Sequence, residues 1–191
     1  MHLDQDLFYI FNATLSWGPL DKVFLLVTDK AFYFGLAAAT FFLLPAAYRK
    51  PGLYVALAAL AALVVADATA AQIWKPLFHR SRPCYELPGV RLLIDQVDSP
   101  GFPSNHAANV FAFATVILIH YRRLGWPLVA IGALVAYSRI YVGVHYPADV
   151  LAGALWGVLI GFVFTSLHYY GTALATRWTY LARRRRALPP K

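Results

Sequence analysis

Five long apolar runs, separated by three short polar breaks and one long connection, cover about 31–48, 52–74, 104–121, 126–144 and 148–170. Each is as long as a helix needs to cross the ~30 Å hydrocarbon layer of a bilayer. Lipid offers the backbone no hydrogen-bond partner, so such runs must satisfy themselves as helices. A 60% share of hydrophobic residues over 191 positions also exceeds that of a soluble domain. The predicted fold class is therefore all-α: a polytopic membrane helix bundle of five to six transmembrane helices with an N-terminal amphipathic segment. It reads as one membrane domain over 1–176 and a basic cytoplasmic tail over 177–191.

Between the runs the chain is less regular. Leu3, Leu7, Ile10 and Phe11 recur at helical spacing, which predicts a helix lying in the interface. Inserting it instead would give the sixth crossing. Trp17-Gly18-Pro19 breaks it, and 23–27 is apolar but too short to span. Residues 23–30 either extend the first crossing or form a separate turn. The connection 76–102 holds Pro83, Pro88, Gly89, Pro100 and Gly101, which favour turns. Gly153-x3-Gly157-x3-Gly161 lines one face of the last run and suits close helix contact, either within the chain or in a homodimer. Asp4 and Asp6 stand where a cleavable signal peptide would carry a basic start.

The net charge is +8. Arg49, Lys50, Arg122, Arg123, Arg177 and the arginines at 183–186 fall on one side of a five-crossing chain, which should be cytoplasmic. The tail ending in Lys191 then suits anionic lipid rather than nucleic acid. Lys75, Arg80, Arg82, Arg91 and Arg139 fall on the opposite side. There they break the positive-inside pattern unless they are folded into a site that binds an anion.

Three segments supply such a site: Lys75-x6-Arg82-Pro83, Pro103-Ser104-Asn105-His106, and Ser138-Arg139-x5-His145-x3-Asp149. Polar groups at the edges of apolar runs are costly and functional by default. His145 and Asp149 are four apart, with Pro147 suited to the first turn of a helix between them. A carboxylate on one imidazole nitrogen fixes the tautomer and raises the basicity of the other, a plausible nucleophile toward phosphorus. Ser104 opens a helix, where free amides bind phosphate, and His106 is placed to protonate a leaving oxygen. Lys75, Arg82 and Arg139 are cations for a transferring phosphoryl group. Read singly, each has a plainer meaning: an interfacial histidine, a helix cap, a lipid-headgroup contact. His79 and Arg80 read as interfacial or supporting residues. Asp67, inside the second run, suits a functional role or a hydrogen bond to another helix. Cys84, the single cysteine, reads as a bystander.

In order and placement these segments resemble the signature of the type 2 phosphatidic acid phosphatase superfamily, or PAP2: K-x6-RP, PSGH and SR-x5-H-x3-D. This chain reads KPLFHRSRP, PSNH and SRIYVGVHYPAD. The resemblance, over roughly 20–170, implies a metal-independent lipid phosphatase without a cofactor. It implies that His145 forms a phosphohistidine, Asp149 orients it, and His106 serves as acid. Lys75, Arg82, Ser104, Asn105 and Arg139 would hold the phosphate. Asn105 replaces the pattern's glycine; it keeps the backbone N–H and leaves pocket shape open.

The opening segment (Leu7-Phe8-x2-Phe11-Asn12-Ala13) is similar to that of small bacterial undecaprenyl-diphosphate phosphatases of this superfamily. That implies a plasma-membrane protein whose site faces the periplasm or the outside and takes a lipid phosphate from the bilayer. Phosphatidylglycerophosphate, phosphatidate and lipid A 1-phosphate are alternatives. So are a non-catalytic lipid-binding or transport protein, and a haloperoxidase-like vanadate site, against which the apolar runs argue.

Overall fold

The computed structural model describes residues 2–186, with side chains over 3–173 and at 177 and 178. The side chains at 183–186, and Lys191, on which the expected basic tail rests, lie outside the described residues. Helix α1, His2–Tyr9, continues as a π-helical turn, Ile10–Thr14. Helix α2, Gly18–Thr28, begins where Pro19 fits a first turn. Helix α3, Lys30–Thr69, is opened by Asp29, whose carboxylate accepts from the Ala31 N–H at 2.7 Å.

Inside α3, Arg49 takes φ 57° and ψ −138°, and Pro51 cannot continue the preceding helix, so the chain folds back there. Tyr33 and Asp67 consequently line one cavity, and Gly52 lies against the Leu44 carbonyl. The expected runs 31–48 and 52–74 are thus the two arms of a hairpin. The second arm ends in a π-helical turn, Ala70–Trp74, and a short α4, Lys75–Phe78. Then come α5, Pro83–Glu86; α6, Asn105–His120; α7, Arg122–Tyr141; and α8, Pro147–Arg186. The connection 76–102 is mostly irregular, as its prolines and glycines predict.

Helix α6 is the axle of the bundle, packed against α3, α7 and α8. Ala107, Ala108, Ala112, Val116 and Ile117 are fully buried along it. Its 16 residues rise only about 24 Å, short of a full hydrocarbon layer. It can be short because it starts inside the bundle, at a fully buried Ser104.

Among the described residues, three helical stretches are long and apolar enough to cross a membrane, and the first contains the Arg49 fold. The two ends of the bundle differ sharply. At one end are the turns carrying Arg49, Lys50, Arg122 and Arg123, joined by Tyr48 stacked on Tyr121 at 4.2 Å. At the other end lie the buried Arg82, Ser104, His106, Arg139, His145 and Asp149.

Two expectations gain detail. The N-terminal helix packs one face on the bundle. Phe8 is fully buried against Tyr146, and Asn12 donates to the Tyr141 and Arg91 carbonyls at 2.8 and 2.9 Å. With eight residues and a turn of five, it is also too short to cross. The glycine stripe is spent within the chain: a Cβ at Gly153, Gly157 or Gly161 would lie 2.4 Å from the Ser104 oxygen, 2.2 Å from the Ala108 oxygen and 2.6 Å from the Thr115 Cβ. It is covered by α6 and has no free face for a homodimer. Helix α8 runs unbroken across 176–177.

Candidate active site

A cavity of about 910 Å³ opens at the polar end of the bundle. Lys75, Arg82, Asn105, His106, Arg139 and His145 all line it, so the three sequence segments meet in space. Ser104 and Asp149, both fully buried, sit behind that wall.

The spacing Ser138-Arg139-x5-His145 has a local cause. After α7 the chain turns through Gly143, at φ +90°, where a Cβ would lie 2.8 Å from the Arg91 oxygen. Only glycine suits that backbone and that approach. The turn brings the amides of Val144 and His145 back onto the Arg139 carbonyl, both at 3.2 Å. Pro147 then starts α8 and places Asp149 one turn on. Arg139 and His145 are thereby fixed side by side.

The His145 ring is held from two sides. Arg82 Nη1 lies 3.1 Å from Nε2, and Asp149 Oδ2 lies 3.4 Å from Nδ1. A guanidinium only donates, so Nε2 carries the lone pair and Nδ1 carries the hydrogen. Burial, and after it the charges of Arg82, Arg139 and Lys75, hold this imidazole well below the usual histidine range. It is therefore neutral, with its Nε2 lone pair accepting from Arg82 at the cavity wall.

The cations are anchored by backbone and hydroxyl oxygens. Arg82 donates to the carbonyls of Ser99 at 2.8 Å and Val144 at 3.0 Å. Lys75 donates to the Pro100 carbonyl at 2.7 Å. Arg139 donates from Nη1 to Thr28 Oγ1 at 2.5 Å, while its buried Nε has no partner among the described residues. With no paired carboxylate in these contacts, their charge remains available to an anion.

Ser104 is the N-cap residue of α6, but its buried hydroxyl makes no capping bond and has no partner among the described residues. Its N–H donates to the Asp149 carbonyl at 3.0 Å, which ties the start of α6 to α8. The first bond within α6 runs from the Ala108 N–H to the Ser104 carbonyl, leaving the amides of residues 105–107 without a helical partner. His106 lies edge-on to Tyr33, with ring centroids 5.4 Å apart.

Asn105, expected to matter through its backbone, also uses its side chain. Its Nδ2 donates to Asp67 Oδ1 at 2.9 Å, and Asn109 Nδ2 donates to the same oxygen at 2.8 Å. Asp67 is thus drawn into the cavity wall, joining α3 to the start of α6. Sequence reasoning left Asp67 outside the site because its partners lie 38 and 42 residues away.

Other wall residues were also missed. Thr28, Lys30 and Tyr33 come from α2 and the start of α3, and 94–97 come from the long connection. Among the charged groups bearing on His106 are Arg139, His145 and Lys30. Gly101 passes so close that a Cβ there would sit 3.2 Å from both Arg82 Cγ and Asp149 Oδ2. Arg80, expected to be peripheral, donates to Asp149 Oδ1 at 2.8 Å.

The chain is similar to several known proteins. Undecaprenyl-diphosphatase BcrC of Bacillus subtilis (strain 168) is 36% identical over 116 residues, covering 61% of this chain and 57% of that protein. Lipid A 4'-phosphatase of Porphyromonas gingivalis is 28% identical over 191 residues, covering 93% and 77%. The crystal structure of Aquifex aeolicus LpxE superposes with a TM-score of 0.69 at 29% identity, covering 86% of this chain and 95% of that one. The model of the PAP2 superfamily matches residues 51–173, which contain all three segments and most of the bundle. The chain belongs to the PAP2 superfamily.

Proposed function

We propose that this protein is a lipid phosphatase whose substrate is undecaprenyl diphosphate, hydrolysed to undecaprenyl phosphate through a phosphohistidine. The observation that carries the reading is the His145 ring, neutral and backed by Asp149, facing a cavity lined by Lys75, Arg82 and Arg139. An incoming phosphate takes over the Arg82 donor now aimed at Nε2. Nε2 then attacks the terminal phosphorus; the P–N bond forms as the P–O bond to the leaving group breaks. His106 gives the leaving oxygen its proton. It next takes a proton from water, which attacks phosphorus, breaks the P–N bond and releases inorganic phosphate. The cations and the free amides at the start of α6 stabilise the spread of negative charge. No step calls for a metal.

Lys30 favours a diphosphate. It stands on the His106 side of the cavity, where a leaving group that is itself a phosphate needs a counter-charge. Lys30→Gln should lower kcat/KM about tenfold on a lipid diphosphate and less than about threefold on the matching monophosphate, the loss of one charge-assisted contact. Equal losses on both would remove Lys30 from the argument. The lipid A phosphatase of Porphyromonas gingivalis, similar over 93% of this chain, supports lipid A phosphate as the second reading.

The assay is phosphate release by detergent-purified protein, in chelator, from a panel of lipid mono- and diphosphates. Fastest turnover of undecaprenyl diphosphate is expected. Release from no member by folded protein would overturn the enzyme reading.

We also place the protein in a bacterial plasma membrane with five crossings and the site facing outward. The Arg49, Lys50, Arg122 and Arg123 end supports this. A cysteine at Asp98, in a Cys84→Ser background, should react with an impermeant maleimide from outside. Labelling only from the cytoplasm would reverse the orientation.

A further inference from the structure

Asp149 is a fully buried carboxylate whose two oxygens face different partners. Oδ2 accepts from the Tyr146 N–H at 3.0 Å and faces His145 Nδ1. Oδ1 accepts from Arg80 Nη1 at 2.8 Å. Arg80 is itself held. Its Nη2 donates to Asp4 Oδ2 at 2.5 Å, and its guanidinium lies 4.3 Å from the centroid of the Tyr146 ring. Tyr146 donates its hydroxyl hydrogen to Glu86 at 2.9 Å. Asp4 also accepts from the Ala148 N–H at 2.9 Å, in the first turn of the helix that carries Asp149. The N-terminal helix therefore closes the back of the His145–Asp149 pair through one arginine.

Arg80 differs from the other cations in one decisive way. Lys75, Arg82 and Arg139 line the cavity and are drawn onto a bound phosphate. Arg80 does not line it; it borders a separate cavity with Gln5, Ser81, Glu86 and Tyr146. Its charge stays with Asp149 whether or not substrate is bound. We propose that Arg80, anchored by Asp4, is a positioning residue for phosphoryl transfer: it keeps Asp149 ionised and aimed, so that His145 always has a carboxylate behind Nδ1. This rests on the reading of His145 as the nucleophile.

The sign of the pH effect follows from the groups around the pair. Arg80, Arg82, Lys75 and Arg139 are the cations; His106 stands across the cavity, Asp4 behind Arg80, and Glu86 behind Tyr146. Reaction needs His145 neutral and Asp149 ionised. Removing one cation makes both groups easier to protonate, so the acid limb of kcat/KM moves to higher pH. Removing the Asp4 charge leaves Arg80 unshared, and the limb moves the other way.

The test is a pH–rate profile on undecaprenyl diphosphate for wild type, Arg80→Gln, Arg80→Lys, Asp4→Asn and His145→Ala, each checked for folding in detergent. Arg80→Gln should lower kcat/KM about 10–100-fold at neutral pH, move the acid limb up by about one unit, and change KM less than about threefold. Arg80→Lys should recover most of the rate and the wild-type limb, and Asp4→Asn should move the limb down. An Arg80→Gln limb that stays in place overturns the proposal, as does Arg80→Lys no better than Arg80→Gln. Should Arg80→Gln not fold, an unmoved or raised limb in Asp4→Asn overturns it. Failure of the underlying reading looks different: no wild-type release, or full turnover by His145→Ala.

Discussion

His145→Ala should lose turnover by about 10⁴-fold or more on any lipid phosphate that the wild type accepts, with KM little changed. The cavity cations are untouched by the change, so substrate still binds; what is lost is the only group proposed to bond phosphorus. Wild type given a substrate labelled in its terminal phosphate and quenched in alkaline detergent should carry the label on protein, stable in base and lost in acid. Neither His145→Ala nor an Asp149 variant should accumulate it as fast. Because burial and three cations hold the His145 imidazole well below the usual range, lowering the pH through 6.5 should not protonate it in the free enzyme. The acid limb of kcat/KM should accordingly fall below that of an ordinary histidine. Labelled protein from His145→Ala at the wild-type rate would assign the covalent step to another side chain. A limb at about 6.5 or higher would mean that His145 is not shielded as the geometry requires.

The residues that meet at this site were legible because each segment carries its own local reason for its shape. The Arg139 to His145 interval is one tight turn ending in a proline-started helix, so its length is visible in one stretch of sequence. The run lengths revealed the helices, and the Arg49-Lys50-Pro51 break separated two crossings inside what folds as one long hairpin element. Contacts between distant elements were not legible in the same way. Asp4 meets Arg80 across 76 positions, and Arg80 meets Asp149 across 69, with no periodicity to announce either. Asp67 faced the same difficulty: a lone intramembrane carboxylate signals that it needs a partner, but not which helix supplies it. The glycine stripe announced a close helix contact and left open whose helix; the buried, alanine-rich face of α6 answers that. The N-terminal segment had the right helical period, but a period cannot tell a lipid-facing face from one that packs on Tyr146.

Gly153→Val should be among the most damaging substitutions outside the polar groups, and it should cost activity as well as stability. The added Cβ would sit 2.4 Å from the Ser104 carbonyl oxygen and 3.2 Å from the Ala107 Cβ. Backbone cannot yield as a flexible side chain can, so α8 must move away from α6 at that level. One turn earlier the Ser104 N–H holds the Asp149 carbonyl at 3.0 Å, the bond that registers the cavity-lining start of α6 against the helix behind His145. Separating the helices there moves His106 and Ser104 away from His145 together. Overpacking of this kind costs about 1–3 kcal/mol or more, and a membrane bundle depends on small residues for close approach. Gly171 lies on the same helix with nothing within 4 Å of an added Cβ, so Gly171→Ala should leave activity unchanged and raise stability by up to about 1 kcal/mol. Thermal unfolding in detergent and phosphate release per folded molecule separate the two effects. Gly153→Val should melt earlier and, where still folded, turn over at least about tenfold more slowly, with Gly153→Ala between it and wild type. A Gly153→Val protein as stable and active as Gly171→Ala would mean that α6 and α8 do not meet there, and that Ser104 and His106 are held in place by something else.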